Sequence, residues 1–126
     1  MAKIEIRTDG APRPLGGYSQ GIKAGRLIFT AGQVGIDPAT GELAGPTIEK
    51  QTARALDNIA AVLGEAGATL ADVVKVTAFL SDMALFADYD RVYRTYFPEP
   101  RPARSSVAVN LVGFLVEIEA IAVLPD

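Results

Sequence analysis

Apolar positions along the chain follow two kinds of pattern. Between about Thr47 and Gly64, Leu56, Ile59, Ala60 and Leu63 recur at spacings of three and four, and Ile48, Thr52 and Ala55 extend the stripe backwards. Glu49, Lys50, Arg54, Asp57 and Asn58 fall largely off that stripe. This period puts one apolar face on an α-helix. Pro46 stands beside its start, and Gly64 or Gly67 marks its stop. A second helix is predicted over Met83 to Phe97, with Leu85 or Phe86, Tyr89, Val92, Tyr93 and Tyr96 on one broad face. Those aromatics read as core and helix rim rather than as a base-stacking surface. Pro98, Pro100 and Pro102 end this helix and make a stiff connector.

The other runs suit strands. Lys3 to Arg7 alternates and predicts a short edge strand, and Arg26 to Gly32 predicts a buried one. Asp9 to Gly17, which holds Pro12, Pro14, Gly10, Gly16 and Gly17, is loop, and Asp37 to Glu42 is a turn whose carboxylate spacing does not fit a calcium loop. After a turn at Thr69 to Asp72, Val73 to Leu80 carries apolar residues on both parities, so both faces of that strand should be covered. Two strands close the chain, Arg104 to Asn110 and Phe114 to Leu124, with Gly113 at the turn. In the last of them Val116, Ile118, Ala120 and Ala122 point one way, suited to packing under helices. Leu115, Glu117, Glu119, Ile121 and Val123 point the other way, a part-apolar face that suggests contact with another subunit. The order β-β-α-β-α-β-β predicts an α+β domain over residues 1–126, a mixed sheet with two helices on one side.

Composition narrows the chemistry. The chain has 126 residues, 49% hydrophobic and 21% charged, which is a globular balance. Twelve Lys and Arg against fifteen Asp and Glu give a formal charge of -3, and Arg94, Arg101 and Arg104 are scattered in the sequence, which argues against a nucleic-acid binder. With no His and no Cys, the usual structural zinc sets and the Ser-His-Asp and Cys-His mechanisms are excluded. Chemistry must then rest on carboxylates, Arg, Lys, Tyr, Ser, Thr, backbone groups and water. The alternating charge of Met1 to Arg7 does not read as a targeting segment, and no apolar run approaches the ~20 residues of a membrane span, so the expected location is the cytoplasm.

Three segments carry candidate chemistry. Leu15 to Gly21 is Gly-rich but lacks the Gly-Lys-Ser/Thr ending of a phosphate loop, and it can lay Tyr18 over a small pocket. Arg104 stands where the proline-stiffened connector becomes a strand, and its planar fork suits a carboxylate. Glu117 follows 13 residues later, expected in the neighbouring strand.

Gly17-Tyr-Ser-Gln-Gly21, Thr30-Ala-Gly-Gln33, Leu56-Asp-Asn-Ile59, Asp72-Val-Val-Lys-Val-Thr77, Tyr93 to Phe97, Pro102-Ala-Arg-Ser-Ser106 and Val116-Glu-Ile-Glu-Ala-Ile-Ala-Val123 occur in this order. With these intervals the chain resembles the Rid (YjgF) family of enamine/imine deaminases over nearly its whole length. The resemblance implies a chorismate-mutase-like fold and a homotrimer with clefts between subunits. It implies cofactor-independent and metal-free hydrolysis of 2-imino acids, derived from 2-aminoacrylate and related enamines, to 2-oxo acids and ammonia. It also implies Arg104 as carboxylate anchor, Glu117 as water-positioning group, Tyr18 as pocket tyrosine, and the backbone at Gly32 and Ser106 as lining. The chain departs from the family pattern at Ala31, at Ser106 and in the short apolar loop from Asn110 to Leu115. Two other functions fit the same residues: a trimer that binds 2-oxo acids without turnover, and a pathway-specific deaminase of a larger enamine. A ribonuclease fits the charge balance poorly.

Overall fold

The computed structural model describes residues 2–126, which form one seven-stranded sheet with two α-helices on one of its faces. The strands are β1 (Lys3–Ile6), β2 (Gly21–Ala24), β3 (Leu27–Thr30), β4 (Gln33–Val34), β5 (Val73–Leu80), β6 (Ala103–Ala108) and β7 (Val116–Val123), and the helices are α1 (Ile48–Glu65) and α2 (Phe86–Tyr96). The order across the sheet is β1-β2-β3-β7-β5-β6, with β4 also paired to β7. Only β5 and β6 run parallel, joined across α2, so the sheet is mixed as expected.

Local signals explain most boundaries. Thr47 caps α1, its hydroxyl accepting the Lys50 backbone N–H at 3.2 Å. Short 3-10 turns at Leu70–Asp72 and Met83–Leu85 precede β5 and α2, so the second α-helix starts three residues later than the predicted Met83. Thr69 and Asp72 close a reciprocal capping box at the first of these turns. Two strands have no counterpart in the sequence pattern. Both β2 and β4 are too short to show a period, and each is stabilised by its neighbours: β2 by a tight hairpin to β3, β4 by β7.

The last strand reads as its alternation predicts. Val116, Ile118, Ala120 and Ala122 are buried beneath the helices with Leu56, Ile59, Val62 and Leu63 of α1. The opposite face is not covered within the chain. Leu27, Phe29 and Val74 are exposed there, and Ile121 and Val123 are half-buried. For β5 the expectation of two covered faces therefore holds on the helix side alone. A bulge at Val74 explains the double parity: Val73 faces Ala122 while Lys75 faces Ile121, so one extra residue flips the alternation.

Asn58 is a second correction. It lies off the apolar stripe of α1 yet is 0% exposed. Its amide donates to the carbonyls of Val34 and Ile36 at 3.1 and 2.9 Å, and its oxygen accepts from Arg54. A buried amide with its hydrogen bonds satisfied fixes position more than it adds hydrophobic energy. Here it ties α1 to the segment just after Gly32. Gln51 ties the same region from nearer the start of α1, donating to the Gly45 carbonyl and accepting the Leu115 N–H, both at 2.9 Å.

Candidate active site

The sequence suggests that Arg104 and Glu117 occupy adjacent strands. The sheet separates them: β5 lies between β6 and β7. Arg104 pairs in register with Val76, whose side chain is buried on the helix side, whereas Glu117 pairs with Phe79 on the open side. The two side chains therefore leave opposite faces of the same sheet. The error has a topological cause. A short link between two strands suggests a hairpin, but the parallel β5–β6 pair takes the place that a hairpin partner would have had.

On the helix side, Arg104 is enclosed by α2. Its Nη1 donates to Asp90 Oδ1 at 2.8 Å, and Arg94 Nε donates to the other carboxylate oxygen of Asp90 at 2.9 Å. The guanidinium carbon lies 4.5, 5.2 and 5.4 Å from the ring centres of Tyr93, Phe86 and Tyr89. Cation–π attraction at these distances adds to the ion pair. Burial is the largest single influence and disfavours the charges of Arg104 and Asp90. Their mutual hydrogen bond, the neighbouring charges and, for Asp90, the Arg94 hydrogen bond together outweigh it. Arg104 is held above its ordinary pKa and Asp90 below the usual carboxylate range, so both stay ionised. Burial raises the tyrosines: Tyr89 and Tyr93 sit above the phenol range and stay neutral. Only one of the five N–H donors of Arg104 is taken up by Asp90, which leaves the guanidinium free to fork an anion. The hydroxyls of Tyr89, Tyr93 and Ser106 are buried and none completes a hydrogen bond of normal geometry, although Tyr89 lies close enough to Ser106 and Arg104 for both to lower its pKa against burial. Ser106 shares the face of Arg104 two residues along β6.

Asp90 carries no signal as a site residue in the sequence reading. A weak one exists: a carboxylate at the centre of a helical face, four residues after Phe86 and three before Tyr93. The arginines that are scattered in the sequence are clustered in space. Arg94, Arg101 and Arg104 line one cavity of about 470 Å³ together with Phe86, Asp90 and Tyr93. A helix, a connector and a strand bring them together.

On the open side, Glu117 meets a break between β3 and β4. Phe29 faces Ile121 and Gln33 faces Ile118, so four steps along one strand span three along the other. The extra residue is a β-bulge at Ala31 and Gly32, a device that re-aims backbone and frees it from the ladder. Thr30 repairs one lost bond, its hydroxyl accepting the Ala120 N–H at 3.0 Å, and the Ala31 N–H donates to the Gln20 carbonyl at 2.9 Å. Gly32 lies directly against Glu117: a Cβ there would sit 2.7 Å from Oε2 and 2.9 Å from the carboxyl carbon. Only glycine fits. Tyr18, 52% exposed, accepts the Leu15 N–H on its hydroxyl at 3.3 Å and joins Gly32, Phe114 and Glu117 around a second cavity of about 190 Å³. Tyr18, Gly32 and Glu117 are therefore brought together, and Arg104 and Ser106 are brought together elsewhere. Phe114, from the short apolar loop, joins the first group.

Comparison with known proteins agrees with this architecture. The family model described as endoribonuclease L-PSP matches residues 8–124. A RutC family protein of Pyrococcus abyssi is 52% identical over 124 residues, covering 97% of this chain and 98% of that one. The chloroplastic Reactive Intermediate Deaminase A of Arabidopsis thaliana is 42% identical over 126 residues, covering 98% of this chain and 67% of that protein. Among solved structures, E. coli TdcF with bound serine superposes with a TM-score of 0.91 at 34% identity, covering 97% of this chain and 99% of that one. The chain belongs to the endoribonuclease L-PSP family, the YjgF/Rid family that its sequence motifs resemble.

Proposed function

We propose that this protein hydrolyses small 2-imino acids to 2-oxo acids and ammonia, without a cofactor, in clefts between the subunits of a homotrimer. The observation that carries this reading is the division of the candidate residues between two sheet faces. Arg13 also lines the Glu117 cavity, but Arg104 and Glu117 leave opposite faces of one sheet, so a site that uses both takes the Arg104 half from one copy and the Glu117 half from another. The open sheet face supports such assembly. It presents Leu27, Phe29 and Val74 to solvent beside half-buried Ile121 and Val123, with Lys75, Thr77 and Glu119 among them, a part-apolar surface suited to contact with another subunit. The name of the Arabidopsis relative supports the chemistry, and the serine bound to the E. coli structure supports a ligand that carries a carboxylate.

In this mechanism Arg104, steadied by Asp90 and the tyrosine rings, forks the substrate carboxylate. That fixes the neighbouring C=N carbon, which is electrophilic once its nitrogen is protonated. Glu117, backed by Gly32, orients a water and takes one of its protons as the oxygen bonds to that carbon. The proton passes to the nitrogen of the tetrahedral carbinolamine. The C–N bond then breaks with its electron pair staying on nitrogen, the hydroxyl oxygen forms the C=O bond, and its proton passes to the departing ammonia, leaving 2-oxo acid and ammonium. Iminium plus water thus gives ketone plus ammonium, with atoms and charge in balance. Positioning alone can supply several kcal/mol of such a barrier, on the order of 7 or more in well-oriented systems. Tyr18 closes the pocket, and the Ser106 backbone lines its Arg104 side.

A coupled assay tests this reading. A pyridoxal-phosphate-dependent serine or threonine dehydratase generates the enamine in place, and 2-oxo acid is followed with wild type and with Arg104→Ala. Acceleration over spontaneous hydrolysis is expected, with a loss of about a hundredfold or more in the variant, as befits removal of a charged anchor. Unchanged activity in the variant would overturn the assignment of Arg104. No acceleration by wild type, combined with binding of 2-oxo acids, would favour a binding trimer.

A further inference from the structure

We propose that the cavity beside Arg104 is a second anion subsite, built by Arg94 and Arg101, and that the favoured substrates are dicarboxylic 2-imino acids whose side chain ends in another carboxylate. This rests on the deaminase reading above. In a chain with formal charge -3, three arginines and a single carboxylate, Asp90, line one cavity of about 470 Å³. Arg104 is needed for the carboxylate beside the imine; Arg94 braces Asp90 through one nitrogen alone, and Arg101 has no part in that chemistry.

Both retain donors. Arg94 uses Nε on Asp90 and keeps its two terminal nitrogens. Arg101 uses Nη1 on Glu99, whose side chain is 79% exposed, and an ion pair so exposed is readily exchanged for a better acceptor. Pro100 and Pro102 flank Arg101 and limit its backbone, so little order is lost on binding. Tyr93 also lines the cavity, its ring stacked beside the Arg104 guanidinium. The volume exceeds what a three- or four-carbon acid fills, and it lies within the range of small-molecule sites. A site for a longer apolar side chain would be lined by aliphatic residues. This one is rimmed by guanidinium groups. The reaction is unchanged: water adds at the imine carbon, ammonium leaves, and a 2-oxo dicarboxylate is released with its distal carboxylate untouched.

The test compares 2-oxoglutarate with 2-oxobutanoate as ligands by calorimetry, for wild type, Arg101→Glu and the milder Arg101→Gln, each checked for native circular dichroism. Wild type is expected to prefer 2-oxoglutarate by about tenfold, the scale of one added charge-assisted contact. Arg101→Glu should reverse that preference, and Arg101→Gln should reduce it. A wild-type preference within about twofold, or a ratio unmoved in both variants, overturns the subsite. Turnover separates the two proposals. Imines of glutamate and of 2-aminobutyrate are generated by an amino-acid oxidase. Faster hydrolysis of the glutamate imine supports the substrate class, whereas faster hydrolysis of the monocarboxylic imine alone overturns it and leaves the deaminase reading standing. If neither imine is accelerated, the deaminase reading fails, and so does the substrate class. A single-stranded oligoribonucleotide serves as control: salt-steep binding lost in Arg101→Glu would assign the arginines to phosphate instead and overturn the proposal.

Discussion

The two halves of the candidate site are built by opposite strategies. Arg104 is held by side chains: an ion pair at 2.8 Å, a second arginine behind it, and three aromatic rings within 5.4 Å. Glu117 is held by backbone. It rests against a glycine in a strand bulge and, among the described residues, forms no ion pair. The contrast fits the tasks proposed for them. An anchor for a carboxylate must not move, so its charge is braced from several sides. A group that orients and deprotonates water must keep its oxygens free for that water, so only shape confines it.

The largest expected effect breaks this contrast at the carboxylate. Glu117→Gln keeps the shape that Gly32 accommodates but removes the base. Turnover should fall by about a hundredfold, in the range of lost general-base catalysis, while the affinity for a 2-oxo acid changes by less than about threefold. Steady-state kinetics beside calorimetry separates the two quantities. An equal loss of turnover and affinity would instead make Glu117 part of the binding surface.

A smaller effect should follow from altering the shape alone. In Gly32→Ala the new methyl would lie 2.7 Å from Glu117 Oε2, and the carboxylate is the flexible end of its side chain, so it is the group that gives way. The variant should fold with a stability loss under about 1 kcal/mol, because a displaced exposed-side carboxylate relieves the overlap. Its kcat should nevertheless drop by about tenfold as the water is misplaced. Thermal unfolding and kcat measured on one preparation check this. A large drop in Tm with kcat preserved would show that the bulge serves the fold and not the site.

The same contrast explains what the sequence reveals. Periodicity exposes features that repeat, and so α1, the core face of β7 and the mixed α+β architecture are legible from Leu56, Ile59, Val116 and Ile118 onward. Taken locally, Arg104 looks like a surface ion-pair arginine and Glu117 like a surface carboxylate, and they stand out only through the ordered motifs that resemble the YjgF/Rid family. Three things are not legible. The insertion of β5 between β6 and β7 is a long-range pairing that no local spacing encodes. The bulge at Ala31 and Gly32 depends on a one-residue mismatch between partners almost ninety positions apart, seen only when Phe29 and Gln33 are matched to Ile121 and Ile118. Asn58 and Asp90 are polar residues on helix faces where they look solvated. Each is enclosed by tertiary partners instead, Asn58 by the Val34 and Ile36 carbonyls and Asp90 by two arginines. Polar residues that satisfy one another across elements leave no periodic trace.

The smallest expected effect concerns the brace behind Arg104. Burial works against the charge on Asp90, but the hydrogen bonds from Arg104 and Arg94 outweigh it and hold its pKa below the usual carboxylate value. Its folded-state pKa therefore lies below its unfolded one. The stabilisation is fully present above the ordinary carboxylate range and is lost as pH falls through the depressed value. Tm of the wild type should decline on the acid side of that range. Asp90→Asn keeps a hydrogen-bond acceptor for Arg104 but has nothing to titrate, so its Tm should start slightly lower near neutrality and decline less steeply on acidification. At neutral pH the same substitution removes a negative charge beside the anchor, so a 2-oxo acid should bind up to a few-fold more tightly if Asp90 competes with it for Arg104, and more weakly if positioning by the carboxylate matters more. The sign of that change decides whether Asp90 tempers the charge of the anchor or fixes its direction. Identical acid limbs in the two Tm profiles would show that the pair contributes nothing measurable to the fold, and the aromatic rings would then be what holds Arg104 in place.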